Sequence, residues 1–139
     1  MTFSNILLPV LLQVSLTLIM FLILGARKSK AIKSGGVDRK KTALDNSAWP
    51  EEVVKVSNNI ANQFQTPVLF YVLAILFHLT GTVTTTVMVL AWVYSISRLI
   101  HGYVHISSNF IPARFSIFTL GVISLIVMTV IAVINLSTV

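Results

Sequence analysis

Four long apolar runs constrain what this chain can fold into. Of its 139 residues, 55% are hydrophobic and only 10% are charged, and the mean hydropathy is +0.89. A helix needs about 20 mostly apolar residues to cross a bilayer core. The runs lie at about 5–26, 65–79, 83–106 and 115–136. We therefore predict an all-α membrane protein, a four-transmembrane-helix antiparallel bundle.

The second run is too short to span a membrane alone, so its helix must include the polar stretch before it. Trp49 suits the membrane interface, Pro50 suits a first helical position, and Pro67 predicts a kink. The first run has no basic residues before it, so it reads as a retained helix and not as a signal peptide. We predict one domain over 1–139, with helices at about 5–26, 50–79, 83–106 and 114–137 and a basic loop at 27–49.

The charge distribution predicts the orientation of the bundle. Seven of the ten basic residues lie between Arg27 and Lys41, against the single acid Asp38. The positive-inside rule places this loop in the cytoplasm and both termini outside. We interpret the basic run as a topology signal that also contacts anionic lipid headgroups, and we predict no nucleic-acid partner. The absence of cysteine means that any thiol chemistry must use a thiol from another molecule.

The third run contains an arginine and two histidines, side chains that are unfavourable in lipid, in the stretch "SRLIHGYVHI". At 100° per residue, Tyr94, Arg98, His101 and His105 fall within about 60° of one another and form one stripe. An arginine at the centre of a membrane helix costs about 2.5–3.5 kcal/mol on insertion scales. We therefore expect this stripe to face the interior of the bundle or a wet cavity.

A second polar stripe lies on the helix that contains Pro67, within an arc of about 120°. Its members are Lys55, Asn58, Asn59, Asn62, Gln65 and Thr66. One interpretation is that the charged residues extend to lipid headgroups while the asparagines join helices by hydrogen bonds. However, no Asp or Glu follows Glu52 in the sequence. The possible partners of the cations are therefore Glu51, Glu52, a lipid phosphate or an anionic ligand, and two arginines, a lysine and several amides suit a ligand.

The motif Arg98-x2-His101-x3-His105, followed by Pro112-x-Arg114, resembles the MAPEG family, the membrane-associated proteins in eicosanoid and glutathione metabolism. The resemblance covers nearly the whole chain. The family usually has tyrosine at the position of His105. The stretch "NQFQTPVLFY" (62–71) is similar to a bacterial branch, which commonly has glutamate in place of Gln65.

The family motif on the second helix is an arginine, an asparagine and an acid. Two registers fit that motif, Lys55-Asn59-Asn62 and Asn58-Asn62-Gln65, and neither supplies the acid.

The resemblance implies a homotrimer with a pocket between subunits for glutathione, the co-substrate, and a lipophilic small molecule. Arg114, aided by Arg98, would favour the thiolate, and His105 would take the place of the family tyrosine near the thiol. The implied catalytic residues are Arg114, Arg98 and His105. The implied glutathione-binding residues are Lys55, Asn58, Asn59, Asn62, Gln65, Arg98 and His101. No metal site is expected.

Three functions stay open on the sequence. The first is a glutathione transferase or peroxidase that acts on lipophilic electrophiles or lipid hydroperoxides. The second is a non-catalytic member of the family that binds lipid or a protein partner in the same groove. The third is a small transporter or channel. In each case we expect a multi-pass protein in contact with membrane lipids, in a bacterial inner membrane.

Overall fold

A computed structural model describes residues 5–137, and every regular element in this range is a helix. The helices are α1 (Leu7–Lys33), α2 (Arg39–Thr42), α3 (Glu51–Gln63), α4 (Thr66–Leu79), α5 (Thr85–Ile106) and α6 (Ile111–Ser137), with a 3-10 helix (Asn46–Ala48) between α2 and α3. Four helical segments are long and apolar enough to cross a membrane, since α3 and α4 together count as one. This confirms the predicted all-α class with four spans.

The first helix is longer than the apolar run that predicted it. It continues through Arg27 to Lys33, where the sequence suggested a loop from residue 27. Lysine and arginine are good helix formers, and basic residues in a last turn complement the negative end of the helix dipole. The helix ends before Gly35, whose φ of +76° suits glycine. The predicted basic loop is therefore a helical extension followed by a shorter connection.

The predicted kink near Pro67 is confirmed as a break in the helix. α3 ends at Gln63 and α4 begins at Thr66, so Phe64 and Gln65 separate the two halves of the second span. Pro67 has no N–H to donate to the carbonyl four residues earlier, so the hydrogen bonds of α3 cannot continue through this position. The break leaves carbonyl groups at the end of α3 available to other donors.

Contacts made by side chains show that α1 and α3, the first half of the second span, run antiparallel. Gln13, early on α1, contacts Gln63 late on α3, whereas Arg27 donates to the carbonyl oxygen of Glu52 early on α3. α5 is the central helix: half of its most apolar window is buried, compared with 22–28% for the other three spans. The remaining apolar faces of α1, α4 and α6 are exposed in the single chain.

The core on the side away from the basic residues contains an aromatic stack. The rings of Phe70 and Tyr94 lie 4.6 Å apart, and the Tyr94 hydroxyl donates to Oγ1 of Thr66 at 3.1 Å. Gly121 lets α6 approach this region closely, because a Cβ there would lie 3.0 Å from Oγ of Ser97. These contacts fix α4, α5 and α6 relative to one another just beyond the helix break.

Candidate functional site

A polar groove lies where α3, the end of α5 and the start of α6 meet. Its first part is a cavity of about 410 Å³, and an adjoining cavity of about 370 Å³ shares Asn62 and Arg114 with it. We call the two cavities together the polar groove. Its polar lining residues are Glu51, Lys55, Asn58, Asn62, Gln65, His101, His105, Asn109 and Arg114. Lys55, Asn58, Asn62 and Gln65 of the stripe predicted on the second span therefore face the same cavity as His101 and His105 of the third.

Arg114, in the first turn of α6, contributes a cation to both parts of the groove. Its Nη1 donates to Oδ1 of Asn109, which lies in the connection from α5 and has a φ of 55°. Asparagine tolerates such left-handed angles better than most residues. Nε of Arg114 is buried and has no hydrogen-bond partner within residues 5–137. The guanidinium thus keeps donor capacity that a ligand can use.

Arg98 lies beneath the groove, and its side chain is only 1% exposed. Its Nη2 donates to the carbonyl oxygen of Asn62 at 3.3 Å, at the break between α3 and α4. Its guanidinium carbon lies 5.8 Å from the centre of the Phe118 ring. Nε and Nη1 have no partner in the described part of the chain, so a buried cation there is only partly satisfied.

The two histidines of the stripe are buried side by side on α5. Their ring centres lie 5.7 Å apart, and Nδ1 of His101 lies 3.2 Å from the carbonyl oxygen of Arg114. Nε2 of His101 and Nδ1 of His105 have no partner among residues 5–137. Over the same range no three His, Cys, Asp or Glu side chains come close enough to hold a metal ion. The histidines are therefore available as hydrogen-bonding groups toward the groove.

Lys55 and Asn58 form the rim of the groove on α3. Nζ of Lys55 lies 2.7 Å from a carboxylate oxygen of Glu51, one turn earlier on the same helix. The Glu51 side chain is 80% exposed, so water screens this pair and its net stabilisation is small. An incoming carboxylate can therefore compete with Glu51 for Lys55.

Asn59 faces away from the groove. Its Oδ1 accepts a hydrogen bond from Nε2 of Gln63 at 3.0 Å, and Oε1 of Gln63 accepts one from Nε2 of Gln13 at 2.6 Å. All three amides are buried between α1, α3 and α5. One residue of displacement turns a helical side chain by 100°, which separates Asn59 from Asn58. The side chain of Asn59 therefore joins helices and does not line the cavity where glutathione binding was expected.

The geometry discriminates between the two possible motif registers. Asn58, Asn62 and Gln65 all line the polar groove, whereas the alternative register requires Asn59. The register through Asn58, Asn62 and Gln65 therefore fits the structure better. It places the uncharged amide of Gln65 where the family motif has an acid.

Three groups at or near the groove were not predicted from the sequence. Asn109 orients Arg114, Phe118 covers Arg98, and Gln63 links α3 to α1. Asn109 could have been noticed as the polar residue just before the Pro112-x-Arg114 motif. Gln13, an amide in the middle of the first apolar run, could have indicated a partner such as Gln63.

A separate apolar groove lies along the membrane-spanning part of α4 and α6. It has a volume of about 560 Å³ and begins at Thr66, next to Gln65. Its apolar lining residues are Leu69, Val72, Leu73, Val122, Leu125, Ile126 and Val130. A cationic polar cavity and an apolar one are therefore lined by adjacent residues of the second span, Gln65 and Thr66.

The comparison with known families agrees with the motif on α5. The sequence model of the MAPEG family matches residues 6–134, which include every residue that lines the polar groove. No curated protein and no solved structure matches the chain significantly.

Proposed function

Because the chain belongs to the MAPEG family, we propose that it is a glutathione transferase or peroxidase that acts on lipophilic substrates. The observation that carries the proposal is the cationic polar groove, which Arg114 lines and beneath which Arg98 is buried, both with unpaired donors. Neither arginine forms a salt bridge with an acid in residues 5–137, and no Asp or Glu follows Glu52. An anionic ligand would satisfy both groups.

The proposed binding mode follows from the lining of the groove. Lys55 at the rim and Arg98 beneath the groove attract the glutathione carboxylates. Asn58, Asn62 and Gln65 offer amide donors and acceptors to the peptide bonds of glutathione, and His101 contributes a ring nitrogen. Asn59 acts indirectly, because it holds Gln63 and the end of α3 in place.

The proposed catalytic effect is stabilisation of the thiolate. A cysteine thiol has a pKa of about 8.5, and a nearby guanidinium lowers it by favouring the anion. Arg114 supplies this charge at the groove, with Arg98 as a second cation and His105 as a hydrogen-bonding group near the sulfur. The thiolate attacks an electrophilic carbon and expels its leaving group, or attacks a hydroperoxide oxygen and releases an alkoxide that is then protonated. In the second case another glutathione reduces the resulting sulfenic acid and yields the disulfide and water.

The lipophilic substrate occupies the apolar groove in this proposal. That groove opens between α4 and α6 on a face that would contact acyl chains. Gln65 lines the polar groove and Thr66, the next residue, lines the apolar one, which supports a path by which a substrate from the bilayer reaches the thiolate.

We also propose a homotrimer in a bacterial inner membrane, with the basic segment in the cytoplasm. The large exposed apolar area of the single chain and the family membership support assembly. The seven basic residues between Arg27 and Lys41 support the orientation. Native mass spectrometry tests the trimer. A reporter fused to the C-terminus tests the orientation, since activity in the cytoplasm would contradict it.

Turnover by the purified protein tests the proposal. With glutathione and either chlorodinitrobenzene or cumene hydroperoxide, the wild type should turn over and Arg114→Leu should be at least tenfold slower. Arg39→Leu is the matched control, because it removes an arginine charge far from the groove. No turnover by a folded wild type with either substrate would contradict the enzymatic proposal.

Binding without catalysis is the second candidate function. Gln65 and His105 replace the acid and the tyrosine of the family motif. The apolar groove has room for a lipid chain whether or not the protein is catalytic. Co-purified lipid in the absence of glutathione turnover would favour this function.

A further inference from the structure

The connection between α1 and α3 combines basic side chains with an unusually exposed leucine. The four-residue helix α2 carries Arg39, Lys40 and Lys41, and Leu44 follows it. Leu44 is 95% exposed, the highest value among the large hydrophobic residues in the described range. An apolar side chain without protein contacts, close to three cations, resembles the composition of segments that lie on membrane surfaces.

Two contacts fix where this connection returns to the bundle. Nζ of Lys28 lies 4.9 Å from the centre of the Trp49 ring, and Nη1 of Arg27 donates to the carbonyl oxygen of Glu52 at 2.7 Å. Arg27 is the first charged residue after the first apolar run, so this level corresponds to the edge of the hydrocarbon core. Tryptophan also prefers this interface. The connection therefore ends at the level of the lipid headgroups.

The chain length allows Leu44 to lie at the level of the lipid headgroups as well. Trp49 is the fifth residue after Leu44, a span of at most about 18 Å even when fully extended. The chain between them is partly coiled into the 3-10 helix Asn46–Ala48, which shortens the distance further. Gly36 follows the end of α1, which continues for about 9 Å beyond Arg27.

We infer that the segment Arg39–Leu44 docks on the anionic surface of the bilayer that contains the protein. In this arrangement Arg39, Lys40 and Lys41 contact the phosphates of anionic headgroups, and Leu44 inserts among the upper acyl groups. The partner is a lipid surface because the segment offers several cations but only one apolar anchor, too small an apolar area for a protein interface. This proposal is independent of glutathione binding.

A single fluorescent label tests the proposal, because the natural chain has no cysteine. Leu44→Cys is labelled with a polarity-sensitive thiol dye, and the full-length protein is reconstituted in nanodiscs of phosphatidylcholine alone or mixed with phosphatidylglycerol. We expect the emission to shift to shorter wavelength in the anionic discs, and molar salt to reverse the shift. Emission typical of water in both lipid compositions would overturn the proposal.

Two controls separate lipid docking from other causes. Replacement of Arg39, Lys40 and Lys41 by glutamine in the Leu44→Cys chain should abolish the lipid-dependent shift. If the shift persists unchanged in that variant and in detergent, protein covers Leu44 and the proposal is wrong. Gly36→Cys is the matched position, and its label should report water in both discs. An equal shift at residue 36 would contradict the anchoring role of Leu44.

Discussion

Nη2 of Arg98 donates a hydrogen bond to the carbonyl oxygen of Asn62, 3.3 Å away, at the point where the second span is interrupted. The end of a helix carries a partial negative charge on its free carbonyl groups. This contact gives a buried arginine a partner in a region of the chain without acids. It also ties Asn62, which like Arg114 lines both parts of the polar groove, to α5.

We expect Arg98→Leu to weaken glutathione binding by roughly ten- to a hundredfold. Hydrogen bonds to charged groups contribute about 1.5–3 kcal/mol, and about 1.4 kcal/mol corresponds to a tenfold change in affinity. Leucine suits the membrane, so the protein should still insert, and size-exclusion chromatography checks that the assembly is unchanged. Calorimetry with glutathione measures the effect. Unchanged affinity would mean that Arg98 only caps α3 and does not contact the ligand.

Gln65→Glu should strengthen glutathione binding. The change restores the acid that the family motif has in the register through Asn58, Asn62 and Gln65, and the new carboxylate can accept hydrogen bonds from the ligand. Asn59→Asp is the matched control, because it places an acid on α3 outside the groove, on the side that faces α1. Tighter binding by Asn62→Asp, which places the acid at the third position of the alternative register, and not by Gln65→Glu would contradict this register.

Gln63→Leu should destabilise the bundle by about 1–3 kcal/mol, because it leaves buried amides of Gln13 and Asn59 without a partner. The lower end of this range is expected if the unfolded chain in the membrane finds other partners. Thermal unfolding in detergent measures the loss. The double variant Gln13→Leu/Gln63→Leu should recover part of it, since both members of the contact between α1 and α3 become apolar. No recovery would indicate that the amides act independently.

Gly121→Ala should destabilise the packing of α5 against α6 by about 1–3 kcal/mol, the usual cost of overpacking. The added methyl group would lie 3.0 Å from Oγ of Ser97 and 3.5 Å from the Tyr94 ring. Gly25→Ala is the matched control, because a methyl group added there would meet no atom of the neighbouring elements within 4 Å. Equal melting temperatures for both variants would show that α6 can move aside.

The architecture was predictable because apolar runs of spanning length and their charge pattern report directly on helices in a membrane. The kink was also predictable, since Pro67 removes a backbone donor. The end of α1 was not, because the basic residues from Arg27 to Lys33 mark the edge of the bilayer and not the edge of a helix. Hydropathy falls where the chain leaves the hydrocarbon core. Lysine and arginine nevertheless have a high helix propensity, so the helix continues past that point.

The site was predictable as two stripes but not as a set of contacts. Helical periodicity placed Asn58, Asn59 and Asn62 on one broad arc, and only the packing of α1 against α3 separates Asn59 from the other two. The hydrogen bond from Arg98 to the carbonyl oxygen of Asn62 could not be predicted either, because the acceptor is a backbone group that the helix break makes available. Sequence patterns identify side chains, and they do not show which backbone groups a kink makes available.

If the protein is a glutathione enzyme, the polar groove must bind glutathione and stabilise its thiolate. The ultraviolet absorbance of the thiolate, followed while the purified protein is titrated with glutathione at neutral pH, measures both properties at once. We expect a saturable thiolate signal for the wild type and its loss in Arg114→Leu, with Arg39→Leu indistinguishable from the wild type. A folded wild type that gives no thiolate signal at saturating glutathione would contradict the proposed function.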